Sequence, residues 1–105
     1  MQTTITARHG ELSESLRERA MTVVERMGAM ARRPVDMTVV FDVDGLDLIA
    51  ELRLHLAQGE LLIARGEGPD HRTALDRAEE KLRRQVERAS DLPRRSRPTP
   101  STDRL

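Results

Sequence analysis

The sequence predicts an α+β fold: a single β-α-β-β-β-α domain in which a four-stranded sheet carries two helices on one face. Apolar residues alternate with polar ones in four short segments and recur every three or four residues in two longer ones, which gives that order of elements. A right-handed crossover makes the first two strands parallel neighbours, and short turns make the last three an antiparallel meander. The outward side of the sheet is acidic, so both helices must cover the other side. The carboxylates on the outward side are those of Asp36, Asp42, Asp47 and Glu51.

The chain begins with a short strand and a helix. Several β-branched residues lie together in residues 2 to 8, which favours a strand there. Ser13 is the predicted N-cap of the helix, and Pro34 ends it. The apolar residues that repeat at helical spacing are Leu12, Leu16, Val23, Met27 and Met30.

A hairpin follows the helix. Apolar residues take the odd positions of residues 35 to 43 and the even positions of residues 46 to 56, so each segment is a strand with one buried face. Asp44-Gly45 between them supplies the positive φ angles of a tight turn. After a second turn at Gln58-Gly59-Glu60, residues 61 to 67 form the fourth strand.

The last helix, residues 70 to 89, has charges that are sorted by helical angle. One apolar stripe contains Leu75, Ala78, Leu82, Val86 and Ala89. Four cations fall together on the other side, namely Arg77, Lys81, Arg84 and Arg88. Asp76, Glu80 and Glu87 occupy a separate flank, so we expect these cations not to be neutralised along their own row. The sorting indicates a surface that binds negative partners; the alternative is a solvated, salt-bridged helix face.

The composition sets the size of the domain and the kind of surface it can have. The chain has 105 residues and no net charge. Residues 93 to 105 hold four Arg against one Asp, so residues 1 to 92, with 14 basic and 17 acidic groups, are slightly acidic. Any contact with nucleic acid must therefore be a local patch. We expect residues 1 to 92 to form the domain and residues 93 to 105, rich in Arg and Pro, to be a disordered tail.

Several classes of protein are disfavoured. The chain has no cysteine, which leaves no disulfide framework and no thiolate metal site. No apolar run is long enough to cross a membrane. His9, His55 and His71 have no Ser or Cys partner pattern, so we expect no enzyme, no metal and no cofactor. Phe41 is the only aromatic residue, so binding of RNA would depend on phosphate and shape, without base stacking.

Two segments resemble the ribosome hibernation-promoting factor family, also known as ribosome-associated translation inhibitors or sigma-54 modulation proteins. Residues 5 to 17, ITARHGELSESLR, are similar to the N-terminal motif of that family. In the last helix, residues 70 to 76, DHRTALD, with residues 81 to 86, KLRRQV, resemble a second motif. The resemblance covers residues 2 to 89, and the β-α-β-β-β-α order of the family agrees with the order read from periodicity.

The resemblance implies a non-enzymatic, cytoplasmic protein that binds rRNA in the decoding region of the small ribosomal subunit, in competition with mRNA and tRNA. It implies no membrane and no small-molecule substrate. Arg8, Lys81, Arg84 and Gln85 match the family motifs, whereas Arg72 stands where the family has Tyr. The chain resembles the short form, without the C-terminal dimerisation domain of the long form. With the helical cations added by geometry, the residues expected to contact rRNA are Arg8, Arg19, Arg26, Arg72, Arg77, Lys81, Arg84, Gln85 and Arg88.

Two alternatives stay open at this point. Arg19 and Arg26 lie at nearly the same angle on the first helix, and Arg32 and Arg33 at its end could simply complement the helix dipole. A second class of function is a protein-binding regulator that uses the acidic sheet face. Binding that weakens with salt would favour RNA, and binding that is indifferent to salt would favour the protein partner.

Overall fold

The computed structural model describes residues 1 to 96, with side-chain burial through residue 89, and confirms the predicted fold class. The elements are β1 (Gln2–Ala7), α1 (Glu14–Met30), β2 (Pro34–Asp44), β3 (Asp47–Leu56), β4 (Leu61–Gly68) and α2 (His71–Ser96). The predicted tail was to begin at residue 93, but α2 continues to Ser96, and residues 97 to 105 lie outside the described part. The position of the domain boundary therefore stays a prediction.

The strands lie in the order β1-β2-β3-β4. β1 is parallel to β2, and the other two pairs are antiparallel, as the crossover and the short turns predict. The register aligns one row of side chains across the whole sheet on its helical side, made of Ile5, Val39, Leu52 and Ala64. This row is the floor on which the two helices pack.

The core lies between that side of the sheet and both helices. Val23 and Met27 of α1 and Leu75 and Leu82 of α2 are fully buried, as is Leu52 of β3. The apolar stripes predicted from helical spacing are therefore the faces that the helices bury. At the ends of β2 the prediction was too broad: Val35 and Val43 are 43% and 37% exposed, and Val35 lies where the pairing of β2 with β3 is irregular, between Pro34 and Asp36.

Both helices begin at a side chain that accepts a backbone N–H. The Ser13 hydroxyl accepts the N–H of Leu16 at 3.1 Å. Asp70 accepts the N–H of Thr73 at 2.7 Å, and this hydrogen bond is the main reason that the pKa of the Asp70 carboxyl lies below its usual value. These two residues fix where the chain leaves a loop and becomes helical.

α2 crosses β4 at very short range. A methyl group added to Gly66 would overlap the carbonyl oxygen of Ala74 and lie 2.5 Å from the amide nitrogen of Ala78. Only a glycine on the strand and small residues on the helix permit this approach. The approach fixes how far α2 stands from the edge of the sheet.

We expect Gly66→Ala to lower the free energy of unfolding by about 1–3 kcal/mol, because the added methyl forces α2 away from β4. Gly28→Ala is the matched control, since its new methyl meets only the flexible end of Met1 in the interior of α1. That control should raise stability by about 0.5–1 kcal/mol. Urea denaturation measures both changes, and equal effects of the two substitutions would contradict the close approach.

Asp70 should also contribute to acid sensitivity. Because folding lowers the pKa of its carboxyl, the contribution is present above the unfolded pKa of about 3.9 and disappears as the pH falls through the lower, folded pKa. Asp70→Asn keeps a capping side chain that does not ionise. The variant should melt close to the original at pH 7 and lose less of its melting temperature at low pH. Asp47→Asn, at an exposed position, is the control. If Asp47→Asn and Asp70→Asn lost the same amount of melting temperature at low pH, the Asp70 cap would not be the cause of the acid sensitivity.

Candidate nucleic-acid interface

α2 places a row of cations along the outer edge of the sheet. Arg77 donates to the carbonyl oxygen of Glu67 at 2.7 Å, and Lys81 donates to that of Arg65 at 2.8 Å. One turn further on, Gln85 donates to the carbonyl of Ile63 at 2.8 Å. Three of the predicted binding side chains therefore hold α2 to β4, a role that the sequence analysis missed.

The same side chains remain available to a partner. Arg77 and Lys81 are exposed, and each uses one donor in its bond to β4. An ammonium has three donors and a guanidinium has five. The bonds to β4 therefore hold the charged groups in place without neutralising them.

Arg84 and Arg88 continue the row toward the C-terminal part of α2. Arg84 forms an i,i+4 ion pair with Glu80 at 3.3 Å, so the expectation that no cation of this row is paired along the helix was wrong. Both side chains of that pair are more than 60% exposed, and water and salt screen it strongly. Arg88 is exposed and has no ion pair with another residue of the described part.

Arg19 and Arg26 of α1 lie in the junction between the two helices. Arg19 binds the Asp76 carboxylate at 2.8 Å. Arg26 binds both carboxylate oxygens of Glu79, at 2.7 and 2.9 Å, and this pairing raises the pKa of the Arg26 guanidinium. Glu79 is only 6% exposed. The structure thus brings these two cations to acidic partners on α2, away from the row at the edge.

Arg8 and Arg72 lie near the start of α2. Arg8 is 3.4 Å from the carboxylate of Asp42, which also contacts His9 at 3.2 Å. A hydrogen bond from the N–H of Val43, followed by these neighbouring charges, holds the pKa of Asp42 below its usual value. Arg72 is exposed in the first turn of α2 and lines a cleft between the two helices. Neither residue joins the row formed by Arg77, Lys81, Arg84 and Arg88.

The outward face of the sheet carries cations as well as the predicted carboxylates. Arg53 binds Glu51 at 3.0 Å, and Arg65 lies 3.8 Å from Asp44. The other partners are Arg8 on Asp42 and His55 on Asp36. The face is therefore of mixed charge, and it lacks the continuous negative surface that the sequence indicated.

Comparison with known proteins places the chain in a family. A family model described as Sigma 54 modulation protein / S30EA ribosomal protein matches residues 3–92. The chain belongs to this family. The resemblance noted in the two sequence motifs is thereby confirmed.

Individual relatives agree with that assignment. The ribosome hibernation promoting factor of Salmonella typhimurium is 34% identical over 91 residues, which are 87% of this chain and 95% of the relative. The N-terminal domain of Protein Y from Thermus thermophilus has a TM-score of 0.73 at 25% identity, over 85% of this chain and 99% of that one. A ribosomal subunit interface protein from Coxiella burnetii shares the fold, with a TM-score of 0.71 at 20% identity over 86% of this chain and 98% of that one.

In this member of the S30EA family, two motif positions also stabilise the fold. Lys81 and Gln85 match the motif of the family, and both bind carbonyls of β4. Within the described residues, no group of three His, Cys, Asp or Glu side chains is arranged to hold a metal ion. No helix in that part of the chain is long and apolar enough to cross a membrane.

The junction between the helices generates a prediction about Arg26. Replacing it by Met leaves a nearly buried Glu79 carboxylate without its two hydrogen bonds, so we expect a loss of about 1–3 kcal/mol of stability in urea denaturation. Arg17→Met, at an exposed position of the same helix, should change stability by less than about 0.5 kcal/mol.

The paired variant Arg26→Met/Glu79→Met completes this test. It removes both charges and should recover part of the loss, because no unpaired carboxylate is left buried. If Arg26→Met unfolded like Arg17→Met, the ion pair would not be a structural contact.

Proposed function

We propose that this chain binds rRNA in the decoding region of the small ribosomal subunit, occupies the place of mRNA and tRNA, and holds ribosomes idle in the cytoplasm without catalysing a reaction. Membership of the S30EA family supports a ribosomal partner. The observation that carries the proposal further is the row of Arg77, Lys81, Arg84 and Arg88 on one exposed face of α2.

Phosphate is the ligand that this row fits. The four cations belong to a chain with no net charge, so they form a local patch on an otherwise balanced protein. Contacts between Lys or Arg and phosphates position a protein on a nucleic acid and make its affinity depend on salt. Arg77 and Lys81, which are held by β4, lose little side-chain freedom on binding, and this favours affinity.

Base stacking cannot contribute much to binding. Phe41, the only aromatic residue, is 1% exposed and packs edge-on against the ring of His71. Recognition would therefore depend on the shape of folded rRNA and on its phosphates. A structured RNA surface meets these requirements better than a flexible single strand does.

The other predicted residues take different parts in this proposal. Arg72 and Arg8 are exposed at the start of α2 and can extend the contact beyond the row. Arg19 and Arg26 act indirectly, by fixing α1 against α2. Gln85 orients α2 on β4 and can offer its second amide N–H to RNA.

The test uses charge reversal at the two row positions that do not hold β4. We expect Arg84→Glu/Arg88→Glu to abolish co-sedimentation with purified small subunits in a sucrose gradient and to remove inhibition of cell-free translation. Arg53→Glu/Arg65→Glu makes the same change in net charge on the sheet face and should retain binding. Thermal melts of both variants should show folded proteins, since all four side chains are about half exposed or more.

Salt titration separates RNA from a protein partner. Each phosphate contact that is lost should lower the slope of log affinity against log salt by about 0.7–0.9. Wild-type inhibition by the Arg84→Glu/Arg88→Glu variant would rule out α2 as the binding face. A protein partner on the sheet face would be supported by two results together: only the Arg53→Glu/Arg65→Glu variant loses binding, and binding of the wild type does not change with salt.

A further inference from the structure

The two edges of the sheet are protected to different degrees. On β4, the carbonyls of Ile63, Arg65 and Glu67 are occupied by side chains of α2. β1 is the other edge strand and is paired on one side only, with β2. One edge is thus closed to a further strand, and the other is open.

The open groups on β1 can be identified from the hydrogen bonds to β2. The N–H of Arg8 donates to the carbonyl of Phe41 at 2.9 Å, and backbone groups alternate in direction along a strand. Those of Thr4 and Thr6 therefore face β2, and those of Thr3, Ile5 and Ala7 face away from the sheet. Among the described residues, no backbone hydrogen bond outside the helices and strands reaches these three.

The edge strand itself has no charged side chain, and two exposed methionines lie near it. Residues 1 to 7 contain no charged side chain, proline or bulge, the features that usually protect an edge strand. Met1 and Met21 are 51% and 37% exposed. At 100° per residue, Met21 lies on the side of α1 opposite Arg19, and Met1 packs near Gly28 on that same side. Arg17 and Glu25 are exposed on the same side of α1, so its apolar contribution next to the open edge is limited to Met1 and Met21.

We propose that the β1 edge pairs with the β1 edge of a second copy of this chain. The two strands run antiparallel about a two-fold axis at Ile5, which gives one eight-stranded sheet. Thr3 then lies opposite Ala7 of the second copy, and these residues and Ile5 exchange hydrogen bonds. Thr4 lies opposite Thr6 of the second copy, and Gln2 opposite Arg8.

A second copy fits this edge because the contact is self-complementary. No like charges oppose each other in the register, and a chain without net charge does not repel its copy. An isologous contact of this kind closes after two copies. The occupied edge of β4 prevents addition of further strands, so the pair cannot grow into a fibre.

The pairing is expected to be weak and to leave the row on α2 free. A six-residue edge with a few flanking side chains buries less area than a permanent interface does. α2 packs on β3 and β4, at the far side of the sheet from β1. The inference therefore does not depend on the proposed function.

Sedimentation equilibrium of the full chain, from about 10 μM to about 1 mM, tests the inference. The wild type should dimerise within this range. Thr4→Lys/Thr6→Lys places like charges opposite each other twice and should raise the dimer dissociation constant by about tenfold or more. Thr4→Lys/Thr6→Glu places opposite charges there and should dimerise at least as well as the wild type. Both variants alter only exposed side chains, and thermal melts check the monomer.

Cysteine cross-linking tests the register, since the natural chain has no cysteine. A mixture of Thr4→Cys and Thr6→Cys chains should form disulfide-linked pairs faster than either variant alone, because position 4 faces position 6 of the second copy. A wild type that stays monomeric to about 1 mM, two charge variants with equal dissociation constants, or cross-linking without preference for the mixture would each overturn the proposal.

Discussion

The attachment of α2 to the edge strand β4 is the contact on which the rest of the structure depends. Four residues of a helix rise about 6.0 Å, and two residues of a strand about 6.6 to 6.8 Å. When a strand runs antiparallel to a helix beside it, side chains at every fourth helical position therefore stay close to every second carbonyl of the strand. Arg77, Lys81 and Gln85 use this match over two turns, with donor–acceptor distances of 2.7 to 2.8 Å. One side of α2 therefore carries the side chains that reach this edge, and Arg84 and Arg88 extend the row of cations beyond them.

α1 is joined to α2 and the sheet by a second kind of contact. Its apolar stripe packs on the sheet, and Arg19 and Arg26 connect it sideways to carboxylates of α2. Glu79 is nearly buried, and the two-pronged contact with Arg26 satisfies both of its oxygens. Arg83 lies 3.8 Å from the same carboxylate. This arrangement places the carboxylates of Asp76 and Glu79 at the junction of the helices, apart from the row of cations on α2.

The fold could be predicted from periodicity alone, but the roles of the cations could not. Alternation and helical spacing are local properties, and here they agree with the tertiary contacts. Hydrogen bonds to backbone carbonyls leave no mark in a sequence, so Lys81 and Gln85 were predicted only as residues that contact rRNA. The ion pair between Arg26 and Glu79 depends on how closely the two helices pack. The sequence of either helix alone does not show this.

Part of the charge on the sheet face was predictable. The tight turn pairs Asp44 with Asp47 and so fixes the register of the whole hairpin. The same register places His55 opposite Asp36, and on the next strand Arg65 opposite Glu51. Counting along the hairpin from its turn would have shown cations beside the predicted carboxylates. The prediction of an acidic face left out Arg53, His55 and Arg65, which lie among the carboxylates.

Gly66 is a buried residue that affects where the cations on the surface of α2 lie. The missing side chain lets α2 approach β4 closely enough for Arg77 and Lys81 to reach the carbonyl oxygens. A larger residue at position 66 would displace the helix and release those cations. The residues at positions 66, 74 and 78 are therefore expected to evolve together with those at positions 77, 81 and 85. Under the proposed function, selection on the surface of α2 would then act on a buried position that lies outside that surface.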